Sequence, residues 1–152
     1  ERYILELGDR SAVVRMSKII SRKVPIVSRW LSSLEAGMPI QPFNDLFLSP
    51  ISLEHVVSSL AGCAYRGIVH ISGQKQVSYA EFACRLAAGF GLSRDLIQPI
   101  SAAQADIDLV HNPSFTRLDM GRTTADFGTR PQALADVVDS VVREASACPS
   151  PS

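Results

Sequence analysis

Between Gly67 and Gly91 the chain has few ways to fold. Gly67-Ile-Val-His-Ile-Ser-Gly73 is a compact β-branched run fenced by glycines, which predicts a strand. Shortly after it, Ser78-Tyr-Ala-Glu81 has the spacing of a capping box. The Ser78 hydroxyl is placed to accept the Glu81 amide, and the Glu81 carboxylate to reach back to the Ser78 amide. Val77 and Phe82 stand where a hydrophobic staple would be. Tyr79, Phe82, Ala83, Leu86, Ala87 and Phe90 then recur on one helical face up to Gly91. A strand feeding a capped amphipathic helix sets an α/β reading for the whole chain.

The rest of the sequence extends that reading. Ser11-Ala-Val-Val-Arg-Met16 predicts a buried strand. Ile26, Val27, Trp30, Leu31 and Leu34 predict an amphipathic helix, with Pro25 in its first turn and Gly37 at its end. Pro39, Pro42 and Pro50 exclude regular helix from Met38 to Pro50, where Leu46-Phe47-Leu48 is a candidate short strand. A helix follows from near Ser52, with Leu53, Val56, Val57, Leu60 and Ala64 as its inward stripe and Gly67 as its stop. Ile97–Ser101 reads as extended, and 102–114 as loop. Met120–Phe127 predicts a short helix stopped by Gly128. A last helix opens at Pro131 and turns Leu134, Val137, Val138, Val141 and Val142 inward. Ser11–Met16 and Ile68–Ile71, joined through helices, are expected to be adjacent or near-adjacent parallel strands.

Composition narrows the function classes. Of 152 residues, 46% are hydrophobic and 20% charged, which suits one globular unit with a proper core. Net charge is zero, so nothing argues for nucleic acid or an anionic membrane. No apolar run has the length of a bilayer span. Cys63, Cys84 and Cys148 form no CxxC pair and no zinc pattern, and read as inert thiols in a reducing cytoplasm.

Catalytic signatures are missing. The sequence has no GxGxxG turn, no P-loop and no GxSxG elbow. His55, His70 and His111 lack metal-site spacing. His70 reads as a structural histidine inside a strand, His55 as exposed and neutral in the first turn of a helix, and His111 as a loop residue. No catalytic residue and no metal ligand is assigned.

Several segments nevertheless fall into a known order. Val13-Val-Arg-Met-Ser17 resembles the strand after the active-site helix of extended short-chain dehydrogenase/reductases. Asn44-Asp-Leu-Phe-Leu-Ser-Pro50 resembles the D-x-x-x-S-P-T segment of dTDP-4-dehydrorhamnose reductases and their relatives. Gly67–Gly73 followed by Val77-Ser-Tyr-Ala-Glu-Phe-Ala83 resembles that family's G-I-Y-H-x-S-G and S-x-x-E-F-A motifs. Pro113-Ser-Phe-Thr-Arg-Leu-Asp119 resembles its R-P-x-x-S-x-L-D. The match runs from about residue 1 to 146.

The resemblance implies the C-terminal part of such an enzyme: the end of a Rossmann sheet over 1–20, a small mixed α/β sugar-nucleotide-binding lobe over 21–146, and a tail over 147–152. It implies a nucleotide-sugar 4-ketoreductase whose NAD(P)H and Tyr-x-x-x-Lys pair belong to an upstream Rossmann portion. The chain opens on Glu1 within a helical pattern, where Tyr3, Ile4 and Leu7 would share a face and Gly8 would end it, so the expectation is a protein entered part-way. Alone, the chain is expected to bind no cofactor and reduce nothing; a homodimer and a cytoplasmic location are compatible with it.

Candidate substrate contacts are Ser17 and Lys18, which follow a strand's carboxyl end, where open α/β sheets place ligands. An ordinary solvated loop is the competing reading there. Asp45 is a sugar-hydroxyl acceptor or a turn cap. Ser49 touches ligand or sets the loop before the Ser52 helix. Arg117 is a partner for a diphosphate, or for Asp119 or another acid. Trp30 reads as core. Arg15, if buried, needs an acidic partner. The chain departs from the family at Lys18, where relatives often have Trp or Asn, and at Leu46, Leu48 and Asn112, where polar residues or glycine are usual. A non-catalytic sugar-nucleotide-binding or regulatory relative is therefore the alternative function.

Overall fold

The computed structural model describes residues 1–8, 11–106 and 114–147. Its first strand, β1 (Ala12–Met16), pairs in parallel with β5 (Gly67–Ile71), with Val13 opposite Ile68 and Arg15 opposite His70. This is the adjacency expected from sequence. Two further pairs are shorter. β2 (Lys18–Ile20) runs parallel to β4 (Pro50–Ser52), and β3 (Phe47–Leu48) runs antiparallel to β6 (Val77–Ser78). The extended segment near Ile97 bridges to Ile40, and Ile100 to Phe43.

Single residues separate these sheets. Ser17 lies between β1 and β2, and Ser49 between β3 and β4, so the chain changes sheet at each. Strands of two or three residues carry too little periodicity to be read from sequence, which is why β2, β4 and β6 were not foreseen.

Helices close the main core. α2 (Pro25–Glu35) begins on its proline and buries Val27, Trp30, Leu31 and Leu34. α4 (Tyr79–Gly89) buries Ala80, Phe82, Ala83, Leu86 and Ala87. α6 (Leu134–Ala147) adds Val137, Val138 and Val141. Trp30 meets Tyr79 edge-on with centroids 6.3 Å apart, a favourable aromatic geometry that confirms it as core. A smaller cluster of Ile51, Val56 and Ile71 lies under the β1–β5 and β2–β4 pairs. α5 (Gly121–Phe127) ends at Gly128, whose φ of +71° is the left-handed stop expected there.

Four local expectations are corrected. The Ser78 hydroxyl accepts the Glu81 amide at 3.0 Å, but the Glu81 carboxylate pairs with Lys75 at 3.1 Å instead of returning to Ser78. Residue 78 belongs to β6, opposite Phe47, rather than to a free helix end. α3 (Leu53–Gly62) stops short of Gly67 and buries only Val56 and Ser59; Leu53, Val57 and Leu60 are exposed. α6 starts at Leu134, because Gln132 is held extended in a bridge to Gly73. α1 (Arg2–Leu5) ends before Gly8, with Glu6 as its cap, and Tyr3, Ile4 and Leu7 are exposed. Of the other expectations, His111 and Cys148 lie outside the described residues.

Arg15 is exposed and pairs with Glu1, donating from Nε at 3.1 Å. No helix among the described residues is long and apolar enough to cross a membrane.

Phe82→Ala should lower unfolding free energy by about 3–5 kcal/mol, since Phe82 is 1% exposed at the centre of the main core. Ser78→Ala should cost only ~1 kcal/mol, one cap. Urea midpoints of both variants check the ranking.

Candidate functional site

The carboxyl ends of β1 and β5 meet the start of β4 at a seam stitched by serines. The Ser17 amide donates to the Ile71 carbonyl at 3.0 Å, and its hydroxyl accepts the Gly73 amide at 3.3 Å. Ser49, fully buried, shares a hydrogen bond with the Thr116 hydroxyl at 3.1 Å. The Ser72 hydroxyl, also buried, accepts the Leu118 amide at 3.1 Å. Segment 114–118 is thereby strapped across the strand ends. Gln76 holds it from the other side, accepting the Thr116 amide at 3.1 Å and donating to the Ser114 carbonyl at 3.2 Å.

Gly73 makes the seam possible. A Cβ there would lie 2.6 Å from the Pro50 carbonyl oxygen and 3.2 Å from the Ser49 carbonyl carbon, both backbone atoms. Only glycine lets the chain leaving β5 press against the start of β4.

Behind the seam, Gln132 satisfies the buried end of β4. Its Oε1 accepts the Ser52 amide at 2.7 Å and its Nε2 donates to the Ser52 hydroxyl at 2.9 Å. Its own amide donates to the Ser72 carbonyl at 3.3 Å, and its carbonyl accepts the Gln74 amide at 2.7 Å. Ser52 also caps α3 through the His55 amide at 3.1 Å.

Four of the five residues singled out from sequence therefore belong to this seam or border it. Ser17 is half-buried at the junction. Lys18 is exposed on β2, in register with Pro50. Ser49 is buried beneath Thr116. Arg117, on the strap, is exposed and makes no ion pair among the described residues, so Asp119 does not neutralise it; Asp119 caps the Gly121 amide at 2.9 Å. Asp45 stands apart in role. Both its oxygens accept the Ala102 amide at 2.9 Å, which ties one loop to another and is the turn-holding reading.

Thr116, Ser72, Gln76 and Gln132 were missed from sequence. Thr116 and Ser72 lay inside quoted motifs, one residue from Arg117 and Gly73 respectively. Gln76 and Gln132 carry no local signal, since their partners lie 40 and 80 residues away.

His55 and His70 stay outside this chemistry. His70 donates from Nδ1 to the Asp119 carbonyl at 2.7 Å, and its buried Nε2 has no partner among the described residues. His55 is half-buried rather than exposed; burial pushes its pKa below the ordinary value, while the Arg130 backbone and Asp136 oppose the shift. Neutral imidazole is thus the form the fold prefers. Among the described residues no group of three or more His, Cys, Asp and Glu is placed to hold a metal ion.

The chain matches a known family. The family description "RmlD substrate binding domain" fits residues 1–147. The chain belongs to the RmlD substrate-binding domain family. Its fold is that of the solved dTDP-4-dehydrorhamnose reductase from Bacillus anthracis in complex with NADP, at 15% identity and a TM-score of 0.79 over 94% of this chain and 52% of that one. A dTDP-4-dehydrorhamnose reductase from Yersinia enterocolitica superposes at TM-score 0.69 with 14% identity, covering 86% of this chain and 49% of that one. DesIV, a dTDP-glucose 4,6-dehydratase from Streptomyces venezuelae solved with NAD and TYD, gives 0.66 at 17% identity, over 96% and 48%. The RmlD-family chain spans about half the length of these solved structures. No curated protein sequence matches it.

Gly73→Ala should destabilise the fold by about 1–3 kcal/mol, because backbone rather than a flexible side chain must give way; thermal unfolding measures it. Stability should also fall as pH drops through the unfolded histidine pKa near 6.5 toward the lower folded one, since the unfolded chain binds a proton at His55 that the folded chain resists. His55→Gln should flatten that slope in urea titrations between about pH 7 and 5.

Proposed function

We propose that the chain is the substrate-binding portion of an NAD(P)H-dependent nucleotide-sugar 4-ketoreductase. One observation carries this reading. The exposed cations Lys18 and Arg117 border a seam at the carboxyl ends of parallel strands, in a chain whose family is named for substrate binding. Open α/β sheets bind ligands at that end. Arg117 presents a planar fork suited to diphosphate oxygens. Lys18, a flexible point charge, faces the sugar end, where it replaces the stacking or amide contact usual in relatives. Ser17 and Ser49 act as positioning residues, holding β2 and the strap in register. Asp45 keeps the neighbouring loop in place rather than gripping sugar.

The departures at Leu46 and Leu48 fit this assignment. Leu48 is 2% exposed within the main core, so its side chain packs rather than faces ligand. The Leu46 carbonyl accepts the Tyr79 amide at 3.0 Å, a role any residue can fill.

A reduced nicotinamide would supply the hydride in the whole enzyme. The residues of this chain include no glycine-rich turn to hold its diphosphate, and no step is assigned to them beyond binding and orientation. An upstream Rossmann portion is the partner that would hold the cofactor, extend the β1–β5 sheet and cover the apolar faces of α1 and α3.

The full-length protein containing this chain should oxidise NADH or NADPH when given a 4-keto nucleotide-sugar. Arg117→Ala should raise KM about tenfold with a smaller change in kcat, the pattern of lost uniform binding. Absence of turnover across a panel of such sugars overturns the reductase reading; nucleotide-sugar binding that persists without turnover assigns the non-catalytic alternative.

A further inference from the structure

A second cleft, of about 460 Å³, lies between α4 and α6. Lys75, Arg85 and Arg94 line it against one acid, Asp139. Some exposed arginines, Arg2, Arg15, Arg122 and Arg143, have a carboxylate within ion-pair distance, while Arg29, Arg66, Arg117 and Arg130 are exposed without one among the described residues. Among the described residues Arg85 and Arg94 have none. Lys75 pairs with Glu81 at 3.1 Å from the cleft's edge. The cleft therefore holds positive charge that the fold does not neutralise.

Its other components suit an anion with an apolar end. The first turn of α6 borders the cleft at Leu134, and its amides have no intrahelical acceptor. The preceding Ala133 offers no side-chain oxygen to cap them. Partial positive charge at a helix start adds to that of the guanidinium groups. Leu134 and Val138 supply an apolar wall. The wall is closed because α4 and α6 touch at Gly89, where a Cβ would lie 2.6 Å from Val138 Cγ1. The volume falls within the range of small-molecule pockets.

We propose that this cleft binds a small phosphate monoester, its phosphate between Arg85 and Arg94 and its organic group against Leu134 and Val138. Arg85 and Arg94 give the bidentate contacts. Lys75 adds charge, and Asp139 limits how much negative charge the cleft takes. The site is separate from the strand-end seam and does not rest on the nucleotide-sugar reading.

Calorimetric titration of the protein with phenyl phosphate and with inorganic phosphate tests it. Phenyl phosphate should bind about tenfold more tightly, the share contributed by the apolar wall. An equal response to both anions removes that wall from the site and overturns the monoester proposal. The exposed double substitution Arg85→Gln/Arg94→Gln should weaken phenyl phosphate at least tenfold, while Asp139→Asn strengthens it and Arg117→Ala leaves it unchanged. Loss of binding in Arg117→Ala with full binding in the double variant places the anion at the seam and overturns the proposal, as does no binding at all. Asp139→Asn keeps the test decisive if the double variant unfolds, because added affinity on removing one acid requires an anion beside it.

Discussion

Everything at the strand ends depends on the contact between Gly73 and the Pro50 carbonyl. With any side chain at 73, the segment leaving β5 would stand off from β4. The Ser17 hydroxyl could then no longer reach the Gly73 amide, and Gln132 could not bridge Gly73 while also serving Ser52. A single missing methyl thus lets three short sheets share one junction. The cost of burying so many backbone groups at that point is offset because serine and glutamine side chains satisfy them.

The seam also separates the groups that hold the backbone from the groups that carry charge. Buried hydroxyls do the holding, and they lie beneath backbone rather than in the open. Charge is left to residues beside them, Lys18 on β2 and Arg117 on the strap, both exposed. With polar contacts below and exposed cations above, the seam keeps its charge in water rather than desolvating it.

Legibility from sequence followed interaction range. α2, α4 and α6 were readable because their apolar spacing is local and sustained, and β1–β5 because two β-branched runs were fenced by turns. The stripe on α3 misled, since periodicity reports which residues share a face and not whether that face meets a neighbour; Leu53, Val57 and Leu60 share one and remain exposed. The capping box misled in half, because Lys75, three residues before the cap, competes for the Glu81 carboxylate. Ser17 and Ser49 could be named from motif position, but their partners Gly73 and Thr116 could not, lying 56 and 67 residues away. Asp45 allowed two readings from sequence, and the bifurcated bond its two oxygens take from the Ala102 amide, 57 residues away, supports the turn-holding one.

α3 is fastened almost wholly at its beginning. Ser52 caps it, and Glu54 takes the Arg143 guanidinium at 2.7 Å and the Ser140 hydroxyl at 3.1 Å, with the Arg143 contact holding the Glu54 carboxyl below its ordinary pKa. Beyond that turn only Val56 and Ser59 are buried. A helix anchored this way answers to ionic strength more than one sunk in oil-like surroundings. Screening the exposed carboxylate–guanidinium link weakens one of its anchors, while the Ser52 cap and the buried Val56 and Ser59 keep α3 against β4 and β2.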